Sequence, residues 1–104
     1  MAYSKYRAKP TVVDGVRFHS QREARRYQEL RLLERAGKIK GLVLQKPYPV
    51  MVNGQKVCNY VSDFFYYDQH GGQHTEDVKG FLTPVYRLKK KLVEIIYGIR
   101  IEEI

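Results

Sequence analysis

Four side chains capable of metal and acid–base chemistry crowd into one short stretch, SDFFYYDQHGGQHTEDVKGF at residues 62–81: Asp63, Glu76, Asp77 and Lys79. The stretch reads as a strand, a tight turn near His70 and a returning strand. If the turn is regular, Asp63 falls opposite Asp77, Phe65 opposite Thr75 and Val61 opposite Lys79. Directly opposed side chains have Cβ atoms about 4.5–5.5 Å apart, and like charges there are destabilising. A hard cation removes that penalty. Mg²⁺ takes oxygen ligands, keeps several waters and accepts substrate phosphate. It polarises a phosphodiester and lowers the pKa of bound water, while a neighbouring ammonium stabilises developing negative charge. The arrangement suits phosphodiester hydrolysis. Two other readings stay open: a one-residue bulge at Gly71-Gly72 exchanges Asp77 for Glu76, and Asp77 with Lys79 also suits an ordinary exposed ion pair.

The surrounding elements must position these groups. Residues 1–10 are basic and aromatic without periodicity and read as a flexible arm, leaving 11–104 as the domain. Asp14-Gly15 within TVVDGVRF signals a hairpin. Ser20 and Glu23 have capping-box spacing, and Gly37 marks the end of a helix whose face carries Glu23, Tyr27 and Leu30, with Leu33 beside it. GLVLQKPYPVMV (41–52) reads as a strand that Pro47 and Pro49 push to an edge. Asn53-Gly54 turns the chain into QKVCNYVSDFFYYD, and QHTEDVKGF pairs back. Thr83-Pro84 opens a second helix whose expected core face is Val85, Leu88, Leu92 and Ile96. After Gly98, IRIEEI closes as a strand. The fold class is α/β: helix, three mainly antiparallel strands, helix, strand.

Composition narrows the partners. Nineteen Lys and Arg against eleven Asp and Glu give a net charge of +8, the footprint of a phosphate-rich partner. Arg22, Arg25, Arg26, Arg87, Lys89 and Lys90 are the candidate phosphate contacts. No apolar run approaches the roughly 20 residues of a membrane span, and no secretory signal opens the chain. One cysteine, Cys58, excludes an internal disulfide, so a cytoplasmic setting is expected. His19, His70 and His74 lack zinc-site spacing. Tyr60, Phe64 and Tyr66 fall on the face opposite Asp63 and read as core.

Taken in order, FHSQREARRYQEL, GKIKGLVLQKPYPV, SDFFYYD and EDVKGFLTPVYRLKKKL resemble the PD-(D/E)XK nuclease superfamily and, within it, a family of small phage and prophage proteins of unassigned function. The likeness runs from about Val16 to Leu92. It implies a restriction-endonuclease-like core and a Mg²⁺-dependent endodeoxyribonuclease, with Mn²⁺ as possible substitute, acting on DNA in a bacterial host. By this resemblance Asp63 and Asp77 are metal ligands, Glu23 a further ligand or water holder, and Lys79 the catalytic lysine. Gln45, Glu76, Tyr86 and Lys90 are possible accessory residues. Residue 62 is Ser where the superfamily's name has Pro. Small size favours structure-directed cutting, of branched or Holliday-junction DNA as in recombination, over sequence reading, and paired incisions suggest a homodimer. The alternative is a non-catalytic nucleic-acid-binding protein of phage replication or recombination.

Overall fold

The computed structural model describes residues 10–78 and 82–104. Lys79 and nearly all of the proposed arm therefore lie outside the described residues. The chain is mixed α/β, with two helices and a mostly antiparallel sheet. Strands β1 (Thr11–Val13) and β2 (Val16–Phe18) form a separate hairpin. Its turn places Asp14 at φ 52° and Gly15 at φ 76°, the paired left-handed residues of a two-residue hairpin loop. Helix α1 (Gln21–Arg35) starts at Ser20, whose side chain accepts the Glu23 amide proton. It buries Glu23, Ala24, Tyr27 and Leu30, and Leu33 stays at the margin.

The main sheet has the order β3–β4–β5–β6. Strands β3 (Ile39–Val52) and β4 (Gln55–Asp68) form a long antiparallel ribbon through the Asn53-Gly54 turn, with proline-bearing β3 at the edge, as expected. Strand β5 (Gln73–Asp77) pairs antiparallel with β4, and the connection through α2 (Pro84–Tyr97) brings β6 (Ile101–Glu103) alongside β5 in parallel. Thr83 caps α2 by accepting the Tyr86 amide, and Gly98 ends it at φ 64°. Near the start of β3 the register shifts between Lys40 and Val43. Gly41 sits there at φ 68°, and a Cβ would approach the Tyr67 ring to 3.1 Å. The backbone angle favours glycine, and any side chain would push the ring back by a few tenths of an ångström.

The helices cover opposite faces of this sheet. Phe18, Ala24, Tyr27, Leu30, Ile39, Phe64 and Tyr66 form the core under α1. Tyr48, Val50, Tyr60, Val93 and Ile101 form the core under α2. Tyr60, Phe64 and Tyr66 are all core, but they do not share a face: Tyr60 belongs to the second cluster. The cause lies midway along the ribbon. Gln45 is at φ 55°, a left-handed residue inside a strand, and the alternation of β3 reverses across it, with Leu44 packing under α1 and Tyr48 under α2. Strand β4 reverses in step between Tyr60 and Phe64. A second difference concerns α2, whose buried residue is Val93, whereas Val85, Leu88 and Ile96 are exposed.

One buried charge pair fastens α1 to the sheet. Glu76 is fully buried, and Arg26 donates to it through Nε at 2.7 Å and Nη2 at 2.6 Å. The Tyr66 hydroxyl donates to the same carboxylate. Burial, and then Glu76, push the Tyr66 phenol upward. Such a bidentate fork satisfies a carboxylate that could not be buried alone. Removing one partner of a buried pair typically costs roughly 3–5 kcal/mol, whereas apolar replacement of both can be close to neutral. Arg26→Ala is therefore expected to lose about 3 kcal/mol in urea unfolding, and the triple variant Arg26→Met/Glu76→Met/Tyr66→Phe, which also removes the phenol that Glu76 satisfies, to recover most of that loss.

Candidate functional site

The sequence elements that could do chemistry meet where β4 and β5 part. The antiparallel register runs Tyr67–Gln73, Tyr66–His74, Phe65–Thr75 and Phe64–Glu76. This is the pairing expected from a regular turn, and its next step is Asp63 opposite Asp77. The ladder ends there, and the Asp63 side chain takes over: its Oδ2 accepts the Val78 amide proton at 2.7 Å. A charged acceptor makes such a bond stronger than a neutral ladder bond. It anchors the chain just before Lys79.

Two more predicted residues adjoin this point. Pairs Leu44–Phe64 and Lys46–Ser62 flank Gln45 and Asp63, so Gln45 lies across the ribbon from Asp63. Its Nε2 donates to Glu23 Oε2 at 3.4 Å, a long bond to a carboxylate that α1 buries. The order Glu23, Gln45, Asp63, Val78 thus joins four separate segments side by side. Ser62 donates to the Lys46 carbonyl at 3.0 Å, tying the two strands beside Gln45.

The two adjacent carboxylates of β5 serve opposite layers. Glu76 faces α1 and is engaged by Arg26 and Tyr66. Asp77 is 0% exposed and faces α2, where the Tyr60 hydroxyl donates to its Oδ2. Burial, and then Asp77, push the Tyr60 phenol far above its ordinary range, so it remains a donor. Sequence reading placed Tyr60 in the core without giving its hydroxyl a role. The signal available was its being tyrosine rather than phenylalanine, since a buried phenol needs a polar partner. Glu103 was also missed. It pairs with Asp77 across the parallel ladder, accepts from the Tyr86 hydroxyl at 2.9 Å and lies 3.5 Å from Lys90 Nζ. Burial, and then the charge of Asp77, raise the Tyr86 phenol. Tyr86 and Lys90 thus reach the neighbourhood of Asp77 through Glu103.

All the donors that could take a metal here are oxygens, which matches Mg²⁺. This ion is typically held by one or two carboxylates, with water and phosphate completing its shell. Among the described residues no group of three His, Cys, Asp or Glu side chains could hold a metal ion together, so Glu23, Asp63 and Asp77 are not gathered into one three-carboxylate cage. Basic side chains approach this end of β5 from both helices. Arg22 Nη2 donates to the Ile104 carbonyl at 2.9 Å, and Arg87, Lys90 and Lys91 line a hollow of about 450 Å³ with Leu82, Glu94 and Glu103. Arg25 is exposed and Lys89 half-buried, whereas Arg26 is taken up by Glu76.

The histidine in β5 has a structural setting. His74 Nε2 lies 2.8 Å from Asp68 Oδ2 and Nδ1 2.7 Å from Glu102 Oε2, and its ring stacks on Tyr66 at 5.1 Å. The hydrogen bond to Asp68, aided by Glu102 and outweighing burial, raises the imidazole above its ordinary value of 6.5. In return His74, with the Gly72 and His70 amides, lowers Asp68 to about 2. The contribution of a raised histidine is full below its unfolded value and lost as pH rises through the folded one. The Asp68 contribution is present above its ordinary carboxylate value and lost as pH falls toward about 2. Melting temperatures should therefore be higher at pH 6 than at pH 9, and the difference should shrink in His74→Gln.

Among the described residues no helix is long and apolar enough to cross a membrane. No curated protein and no solved structure matches the chain. A family model described as a protein of unknown function (DUF1064) matches residues 3–101, nearly the whole chain, and the protein belongs to that family.

Proposed function

We propose that this protein is a metal-dependent DNA endonuclease with a PD-(D/E)XK-type core. The observation that carries the reading is the meeting of Glu23, Gln45, Asp63 and the Asp77–Val78 segment, from four elements, midway along the β3–β4 ribbon where β5 ends. The element order, with β3–β5 antiparallel and β6 added in parallel through α2, is the order the superfamily resemblance implies. Asp63 and Asp77 would hold Mg²⁺, which supplies charge neutralisation at the phosphodiester and activation of a bound water. Glu23 and Gln45 orient water on the α1 side. Tyr60 fixes the direction of the Asp77 carboxylate. Lys79, next after Val78, supports the attacking water and the developing charge. Arg22, Arg87 and Lys90 hold the phosphate backbone, so binding weakens steeply with salt. Branched DNA in a phage or prophage setting is the preferred substrate class.

A second reading has one observation in its favour: Asp77 is fully buried and held by Tyr60, as a purely structural carboxylate would be. On that reading the chain binds nucleic acid without cutting it. Cleavage assays on branched, single-stranded and linear duplex DNA, with Mg²⁺, Mn²⁺ or chelator, separate the two. The nuclease reading expects divalent-dependent cuts that Asp63→Asn and Asp77→Asn abolish. Lys79→Ala should slow them about 10²–10³-fold, the scale of removing one group aimed at developing charge. Salt-sensitive binding without cleavage of any substrate by wild type would establish the second reading.

A further inference from the structure

The α2 helix carries a seam that its own fold does not cover. Val85, Leu88, Leu92 and Ile95 recur at alternating steps of three and four, the spacing of a helix that packs against another helix. Val85, Leu88, Ile95 and Ile96 stand 63, 61, 70 and 42% exposed, with Leu92 half-buried beside them. The intramolecular contact of α2 comes instead from Val93, aided by Tyr86 and Leu92. Most helical stability in proteins comes from packing an amphipathic face, and here the more apolar face looks outward.

We propose that a second copy of this chain covers the seam, with the two α2 helices antiparallel about a two-fold axis. The spacing is self-complementary. Val85 and Ile95 lie equally far on either side of Lys90, as do Leu88 and Leu92. A two-fold axis level with residue 90, on the seam side of the helix, therefore sets Val85 on the partner's Ile95 and Leu88 on the partner's Leu92, as an isologous contact demands. The patch extends beyond the helix. Val61 of β4 lines a hollow of about 250 Å³ together with Val85, Tyr86 and Lys89. The seam from Val85 to Ile95 lies within α2 and is roughly 15 Å long. Widened by β4, it moves toward the roughly 800 Å² per partner of a standard interface.

The palindromic apolar spacing selects a second copy over an acidic partner, and charge makes the two distinguishable by salt. Lys89 and Lys91 flank the seam close to the proposed axis, so the dimer gathers four ammonium groups there. Their repulsion is screened by salt, and self-association tightens as salt rises, whereas an acidic partner would be lost. This assignment does not depend on the nuclease reading. Sedimentation velocity on the wild-type protein, over the micromolar range at low and high salt, is expected to show a dimer that strengthens with salt. Leu88→Lys should raise the dissociation constant at least about tenfold, since it places a charge in both symmetric copies of an apolar contact, with the melting temperature of dilute monomer unchanged. A wild type that is monomeric throughout would overturn the proposal. So would a dimer weakened by salt or indifferent to Leu88→Lys, or a dilute variant that melts earlier, which would place Leu88 in its own chain's core.

Discussion

The Asp68 carboxylate sits at the tip of the β4–β5 hairpin, and the division of labour in the sheet depends on what it holds. Its Oδ1 accepts the His70 and Gly72 amides at 2.9 and 2.8 Å, while a Cβ on Gly72 would lie 2.6 Å from Oδ2. The turn is thereby fixed in length, and with it the register of every pair that follows. A slip of one residue exchanges the faces of a strand. It would turn Glu76 toward Tyr60 and Asp77 toward Arg26, leaving an arginine facing the wrong geometry and a carboxylate without its tyrosine. The chemistry at one end of the hairpin is thus set by hydrogen bonds at the other.

From that register follows an arrangement in which each layer has its own buried acid and its own tyrosine. Under α1, Glu76 answers to Arg26 and Tyr66, a combination that neutralises charge and needs no solvent. Under α2, Asp77 answers to Tyr60, with Tyr86 and Glu103 nearby. The first set fits a clamp between helix and sheet. The second keeps a carboxylate beside a neutral donor, which orients it without cancelling its charge. Adjacent residues of one five-residue strand are in this way given different electrostatic tasks by the pleat alone.

Much of this was legible in the sequence because it rests on local signals. Asp14-Gly15, Asn53-Gly54, Ser20, Thr83-Pro84 and Gly98 each encode a backbone conformation directly, and the elements end where they indicate. The pairing of Phe65 with Thr75 followed from the turn. What escaped the sequence were properties set by distant contacts. Nothing around Gln45 announces a left-handed residue inside a strand, so the reversal that sends Tyr60 and Phe64 to different layers was invisible. Helical periodicity in α2 identified an apolar stripe but not what the stripe would meet. The pattern of a seam and that of a core face are nearly the same, and only tertiary placement tells them apart. The ligand roles proposed for Asp63, Asp77 and Glu23 come from the resemblance, which no local signal at those residues carries by itself.

The long ribbon also bears on how the protein behaves when concentrated. Exposed strand edges invite pairing with other molecules. The outer edge of β3 carries Pro47 and Pro49, and the Pro49 carbonyl is already taken by the Tyr97 hydroxyl at 2.7 Å. The opposite edge, β6, is three residues long and includes Glu102 and Glu103. An incoming strand would find missing donors on one side and a short acidic border on the other. The two outermost strands, β3 and β6, are in this way blunted against cross-strand aggregation.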